Sequence, residues 1–169
     1  GMVLVTSTGF HGAYLRSSHG ISMTAISGEG TGMERDYDFS SALHGADLAS
    51  PESIGRSAGD RAVARANPRK AETCKAPVIF DPRVAGSLVG HLVGAANGAS
   101  IARKTSFLKD KLGRQLFAKG IRIIDDPRRV RGLRSQAFDA EGVATKQLAV
   151  IDDGVLTSWL LDSATAREL

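Results

Sequence analysis

The side chains best suited to chemistry are four histidines, one cysteine and a close pair of carboxylates. His11, His19 and His44 fall in the first third of the chain, His91 stands alone in the middle, and Asp139 and Glu141 flank Ala140. Histidine and cysteine hold zinc when they recur at short, regular intervals. The first three histidines match no such interval and have no cysteine near them, so they read as strand or surface residues. Asp139 and Glu141 could divide general acid and base work if burial drove their pKa values apart. Gly28-Glu29-Gly30-Thr31-Gly32 is rich enough in glycine to suggest a phosphate loop, but it lacks the strand-turn-helix setting and the lysine that such loops use. Arg128, Arg129, Arg131 and Arg134 put four guanidinium groups in seven residues. That run could meet a phosphate backbone, yet no aromatic residue lies within it to stack on bases, and Asp125-Asp126 just before it offset its field.

The element that must position any such chemistry runs from Pro77 to Lys111. Pro77-Val78-Ile79-Phe80 has the length and β-branched content of a buried strand. Asp81-Pro82 then supplies a helix cap and a proline at the first helical position. From Val84 to Ala96 apolar residues point nearly all round, so a helix buried on most sides is expected. Gly86, Gly90, Gly94 and Gly98 form a ridge along it, although each mid-helix glycine costs about 0.5–1 kcal/mol relative to alanine. Another backbone packed against that ridge would compensate, since small residues at this spacing permit close approach. A membrane span is excluded, because His91, Asn97 and Arg83 interrupt or border a run shorter than about 18–20 apolar residues.

The remaining elements are antiparallel in character. Val3–Ile26 and Met33–Ser40 alternate like an antiparallel meander. Ser50-Pro51-Glu52-Ser53 opens an amphipathic helix to about Ala66, stopped by Asn67-Pro68, with Arg56, Arg61, Arg65, Arg69 and Lys70 giving it a basic face. Usually such a face is simply solvated. Ile121–Ile124 reads as a strand; Lys146–Ile151 and Val155–Leu161 read as a hairpin across Asp152-Asp153-Gly154, and Ser163–Leu169 starts a helix. No repeated strand-helix unit suggests a doubly wound sheet. The fold class is therefore α+β: antiparallel meanders and hairpins with a buried glycine-ridged helix. Two parts are expected, residues 1–67 as a β-meander plus helix and 68–169 as the first part of an α+β domain.

With 169 residues the chain can bury one good core or parts of two. A net charge of +4 is too mild to argue for nucleic acid by itself. The single cysteine, Cys74, excludes an internal disulfide framework and fits a reducing compartment. With no secretory leader visible, a cytoplasmic location is expected.

The Pro77–Lys111 stretch, with FDAEGVAT at Phe138–Thr145 and IDDGVLTSWLLDSATAREL at Ile151–Leu169, resembles the TldD/PmbA family, whose members were once labelled proposed modulators of DNA gyrase. The resemblance covers essentially the whole chain and is stronger to the PmbA (TldE) branch. It implies a relationship to a metallopeptidase whose helix carries HExxxH, with two histidines on the metal and the glutamate as general base. On this helix Gly90 and Ala95 occupy the positions of the two histidines, and His91 that of the glutamate. The resemblance therefore implies no catalytic, cofactor-binding or metal-binding residue in this chain. It implies a non-catalytic subunit, partnered by a TldD-like catalytic chain in a complex that acts on peptides or unfolded proteins. By the same resemblance Arg103, Ser106 and Lys109 lie towards a peptide cleft, though ordinary surface residues are the preferred reading. Asp139 and Glu141 are read as structural, holding backbone N–H groups or Arg134. Family members extend well past both ends, so an internal piece is expected. A gyrase- or DNA-associated regulator is the alternative, resting on the Arg128–Arg134 run and the basic helix face. An enzyme using Asp139 and Glu141 ranks last.

Overall fold

The computed structural model describes every residue from Gly1 to Leu169. The chain divides into two compact units, Gly1–Lys75 with Arg129–Ser135, and Ala76–Arg128 with Gln136–Leu169.

In the first unit, alternation of side chains builds two separate antiparallel hairpins rather than one continuous meander. Strands β1 (Met2–Val5) and β2 (His11–Tyr14) pair with Met2 opposite Tyr14. Strands β3 (His19–Ser27) and β4 (Glu34–Ala42) pair over nine residues each, His19 opposite Ala42. Helix α1 (Pro51–Ala64) begins where its sequence dictates: Pro51 needs no N–H partner, and the Ser50 hydroxyl accepts the Ser53 N–H at 3.2 Å. Ile54, Ala58 and Ala62, four residues apart, form its buried stripe and pack the helix on the β3–β4 hairpin. The same face of β4 buries Ala42 and Asp36. Asp36 tolerates burial because it is satisfied on both oxygens: Arg65, at the end of α1, donates at 3.0 Å, and the Tyr37 N–H donates at 2.7 Å. Segment Arg129–Ser135 is held to this unit by Arg131 on Asp47 at 2.7 Å, and by Arg16 donating to the Leu133 carbonyl at 2.8 Å.

The second unit is built round a small mixed core. Helices α2 (Pro82–Ala95) and α3 (Gly98–Ala102) precede a three-stranded antiparallel sheet of β5 (Ile123–Asp125), β6 (Leu148–Asp152) and β7 (Val155–Leu156), and a short α4 (Thr165–Glu168) closes the chain. Ala96, Ile101, Leu108, Val150, Ile151 and Leu156 are buried together, with Leu92, Trp159 and Leu160 at the margin. The β6–β7 hairpin turns at Asp153 and Gly154, both at positive φ (46° and 81°), as its Asp-Gly sequence predicts. Gly154 is required there: a Cβ would run into the carbonyls of Phe117 and Ala118.

Two expectations are corrected here. Pro77–Phe80 forms no strand. A strand exists through its ladder, and the three strands of this sheet pair among themselves, leaving Val78 and Ile79 exposed. The fold class holds, but α2 is not buried within this chain: Val84, Leu88, Val89 and Val93 are each about two-fifths to one-half exposed, from 40% to 49%. Only its C-terminal end, through Leu92 and Ala95, reaches the core. The all-round apolar pattern thus marks surface that no residue of this chain covers.

Candidate functional site

Helix α2 and the segment that follows α3 define the site. Asp81 caps α2, its Oδ1 accepting the Arg83 N–H at 2.9 Å and the Arg83 Nε–H at 3.2 Å. At the other end the helix breaks at Ala96, and Asn97 caps α3 by accepting the Ala99 N–H at 3.1 Å. The break is fixed from outside: Gly98 donates to the Leu160 carbonyl at 2.7 Å, and Leu160 donates to Ala96 at 2.9 Å. Ser106 is buried and ties the next segment back, its hydroxyl donating to the Ala95 carbonyl at 2.5 Å and accepting the Leu108 N–H at 3.0 Å.

Between α2 and residues 107–117 lies an open pocket of about 350 Å³. Leu88, Leu92, Phe107, Leu108, Leu116 and Phe117 make its apolar walls, and His91 and Lys111 are its two polar side chains. No acidic residue lines it. Neither the His91 ring nor the Lys111 ammonium makes a hydrogen bond or ion pair in the chain.

A metallopeptidase centre would need several donors converging here. On α2 the relevant positions hold Gly90, His91 and Ala95, and nowhere in the chain do three or more His, Cys, Asp or Glu side chains group so as to hold a metal ion. The donor set does not fit a metal.

Elsewhere the singled-out residues are dispersed. His11 lies on β2, His19 on β3, and His44 just before a 3-10 turn, all exposed. Residues 28–32 form the β3–β4 hairpin loop, not a strand-to-helix phosphate loop. Asp139 organises a turn, its Oδ1 accepting the Glu141 and Val143 N–H groups, each at 2.9 Å. Glu141 accepts the Ser163 N–H at 2.9 Å. Both carboxylates therefore hold backbone, as the structural reading expects. The arginine run is partly neutralised: Arg131 lies 2.7 Å from Asp47, and Arg128 donates to the Ala137 carbonyl at 3.4 Å. Arg103 and Lys109 are exposed, whereas Ser106 is committed to the fold.

Sequence reasoning passed over Lys111 and the paired walls Phe107-Leu108 and Leu116-Phe117. The one available signal was the recurrence of two-residue apolar pairs after the helix. It also passed over Asp162, which with Thr165 forms a reciprocal cap of the turn before α4, whose own N-cap residue is Ala164. The Asp162 carboxylate accepts the Thr165 N–H at 2.7 Å, and the Asp162 N–H donates back to the Thr165 hydroxyl at 3.1 Å. Hydrogen bonds from the Thr165 backbone and then its side chain hold the Asp162 carboxyl below its ordinary value.

Comparison with known proteins places this geometry. Residues 73–169 match the model of the PmbA/TldA metallopeptidase C-terminal domain, and residues 2–66 that of the central domain. The chain belongs to the PmbA/TldD family. It is 43% identical over 167 residues to the metalloprotease PmbA of Escherichia coli O157:H7, which aligns with 99% of this chain and 37% of that protein. A PmbA metalloprotease homologue from Haemophilus influenzae is 34% identical, aligning with 96% of this chain and 36% of the relative. The chain thus spans little more than a third of the relatives it matches. Among solved structures, a proposed modulator of DNA gyrase from Bacteroides thetaiotaomicron superposes with a TM-score of 0.89 at 28% identity, over 96% of this chain and 37% of the other. TldE from Thermococcus kodakarensis gives a TM-score of 0.77 at 24% identity over 89% and 34%, a likeness of fold. No helix is long and apolar enough to cross a membrane.

Proposed function

We propose that this chain is part of a non-catalytic subunit of a PmbA/TldD-type peptidase complex in the cytoplasm, acting beside a TldD-like catalytic chain on peptides or unfolded proteins. The observation that carries the reading is α2 itself. Where a peptidase of this family would place two coordinating imidazoles, the helix offers a hydrogen and a methyl group at Gly90 and Ala95, leaving His91 without a second ligand. Such a helix can pack but has no means to hold an ion. Its uncovered apolar side chains give it surface to bury against a partner. The DNA-associated alternative has less behind it, because Arg131 is paired with Asp47 inside its own unit.

The deciding experiment mixes the full-length protein with its cognate TldD-type chain and scores complex formation and peptide hydrolysis. A stable complex that cleaves peptides, with no cleavage by this protein alone, is expected. Cleavage by this protein alone, abolished by His91→Ala, overturns the reading.

A further inference from the structure

We infer that Asn97 is a self-modification site, an asparagine set to deamidate through the Gly98 nitrogen, which the packing of residues 160–165 on Gly98 holds closed. Sequence isolates the site. The chain has two asparagines; Pro68 follows Asn67 and offers no N–H, so Asn97 alone has a neighbouring main-chain nitrogen able to attack its amide. That neighbour is glycine, which brings no Cβ to hinder ring closure.

The chemistry needs only water. Hydroxide takes the Gly98 N–H proton and the nitrogen attacks Asn97 Cγ; the N–Cγ bond forms, the Cγ–Nδ2 bond breaks, and Nδ2 leaves as ammonia with a proton from water. One water then opens the cyclic imide at either carbonyl, giving aspartate or isoaspartate. Nothing is oxidised or reduced.

The folded chain closes this route at each point. The Gly98 N–H donates to the Leu160 carbonyl at 2.7 Å, so the attacking nitrogen is occupied. The Asn97 Oδ1 accepts the Ala99 N–H at 3.1 Å as the cap of α3, and a ψ of 129° at Asn97 turns the Gly98 nitrogen away from its side chain. Gly98 is buried, with the Thr165 and Leu161 side chains seated where a Cβ would lie. Swinging the Gly98 nitrogen toward Cγ breaks these contacts together. Deamidation therefore follows local opening of α3 from residues 160–165, and its rate measures how often that contact parts. The two products leave different helices: aspartate keeps a capping oxygen, whereas isoaspartate adds a main-chain carbon ahead of α3 and shifts Gly98 off Leu160.

The test incubates the full chain at mildly alkaline pH beside a free peptide spanning Ala95–Ala102, and follows the amide-to-acid mass gain with peptide mapping for isoaspartate. The folded chain is expected to react at least about tenfold more slowly than the peptide, because only its open fraction reacts. Thr165→Ala, which uncovers Gly98, should speed the reaction about threefold or more. Should that variant not fold, the native chain in urea below its unfolding transition gives the same readout, a rate that climbs before circular dichroism changes. Asn97→Ser keeps a capping hydroxyl and should lose the mass gain. A folded chain that reacts as fast as the peptide, a rate indifferent to both Thr165→Ala and urea below the transition, a mass gain that persists in Asn97→Ser, or a product with aspartate and no isoaspartate overturns the proposal.

Discussion

The hydroxyl of Ser106 donates to the main-chain carbonyl of Ala95 at 2.5 Å, tying the second helix to the segment that faces it across the pocket. Ala95 is near the end of α2, where helical carbonyls have no N–H four residues on. Ser106 supplies the missing donor and accepts the Leu108 N–H in return, fixing Leu108 in the core. Ser106→Ala removes one donor and one acceptor from a buried position. The expected loss is about 1–3 kcal/mol of unfolding free energy, read by urea denaturation, with shift changes at Phe107 and Leu108. A loss below about 0.5 kcal/mol would mean that water replaces the hydroxyl.

Asp36 and Arg65 make a second, separable test in the other unit. Arg65 is 56% exposed and Asp36 7%, so the two partners differ in what their loss leaves behind. Arg65→Met removes a charged donor from a buried carboxylate that keeps the Tyr37 N–H, and a loss of about 1–2 kcal/mol is expected after discounting for solvent at the guanidinium. Asp36→Asn keeps one carbonyl oxygen for the Tyr37 N–H and leaves no buried charge, while the exposed guanidinium can turn to water, so it should cost less. Equal losses from the two variants would contradict this asymmetry.

Acid stability reports on the Asp162–Thr165 cap of the turn before α4. The Asp162 carboxyl is held below its ordinary value, 3.8, chiefly by the Thr165 N–H and then by the Thr165 hydroxyl. A depressed folded-state pKa means that the unfolded chain binds the proton more readily. The stabilisation is therefore fully present above the unfolded value and disappears as pH falls through the folded one. Unfolding followed across the acid range should show a steeper loss below about pH 4 in the native chain than in Asp162→Asn. Identical profiles would show that the cap is not coupled to global stability.

What could be read from the sequence was local. Ser50-Pro51 marks the start of α1, Asp81-Pro82 that of α2, and Asp153-Gly154 the hairpin, because each encodes a backbone geometry within a few residues. Asp139 was legible as structural for the same reason, its partners Glu141 and Val143 lying in its own turn, whereas Glu141 holds the Ser163 N–H, 22 residues along the chain. Pro77–Phe80 misled because a short β-branched run has strand character whether or not a ladder awaits it. The pocket was illegible because its walls come from Leu88 to Phe117 and meet through contacts between separate elements, such as the Ser106 tether, that have no periodic signature.

The glycine ridge shows most directly where pattern and packing part. Its four members look alike in sequence, yet a Cβ on Gly98 would lie 2.5 Å from the Thr165 hydroxyl and 2.9 Å from Leu161, whereas one on Gly86, Gly90 or Gly94 would meet nothing within 4 Å. Gly90→Ala should therefore stabilise the isolated chain by about 0.5–1 kcal/mol through helix propensity alone. Gly98→Ala must push Thr165 out of its reciprocal cap with Asp162 or move α3 from Leu160, and a loss of about 1–3 kcal/mol is expected. Thermal unfolding of the two variants should move in opposite directions. If both shift upward, Thr165 yields without cost and the contact between α3 and α4 is looser than its distances imply.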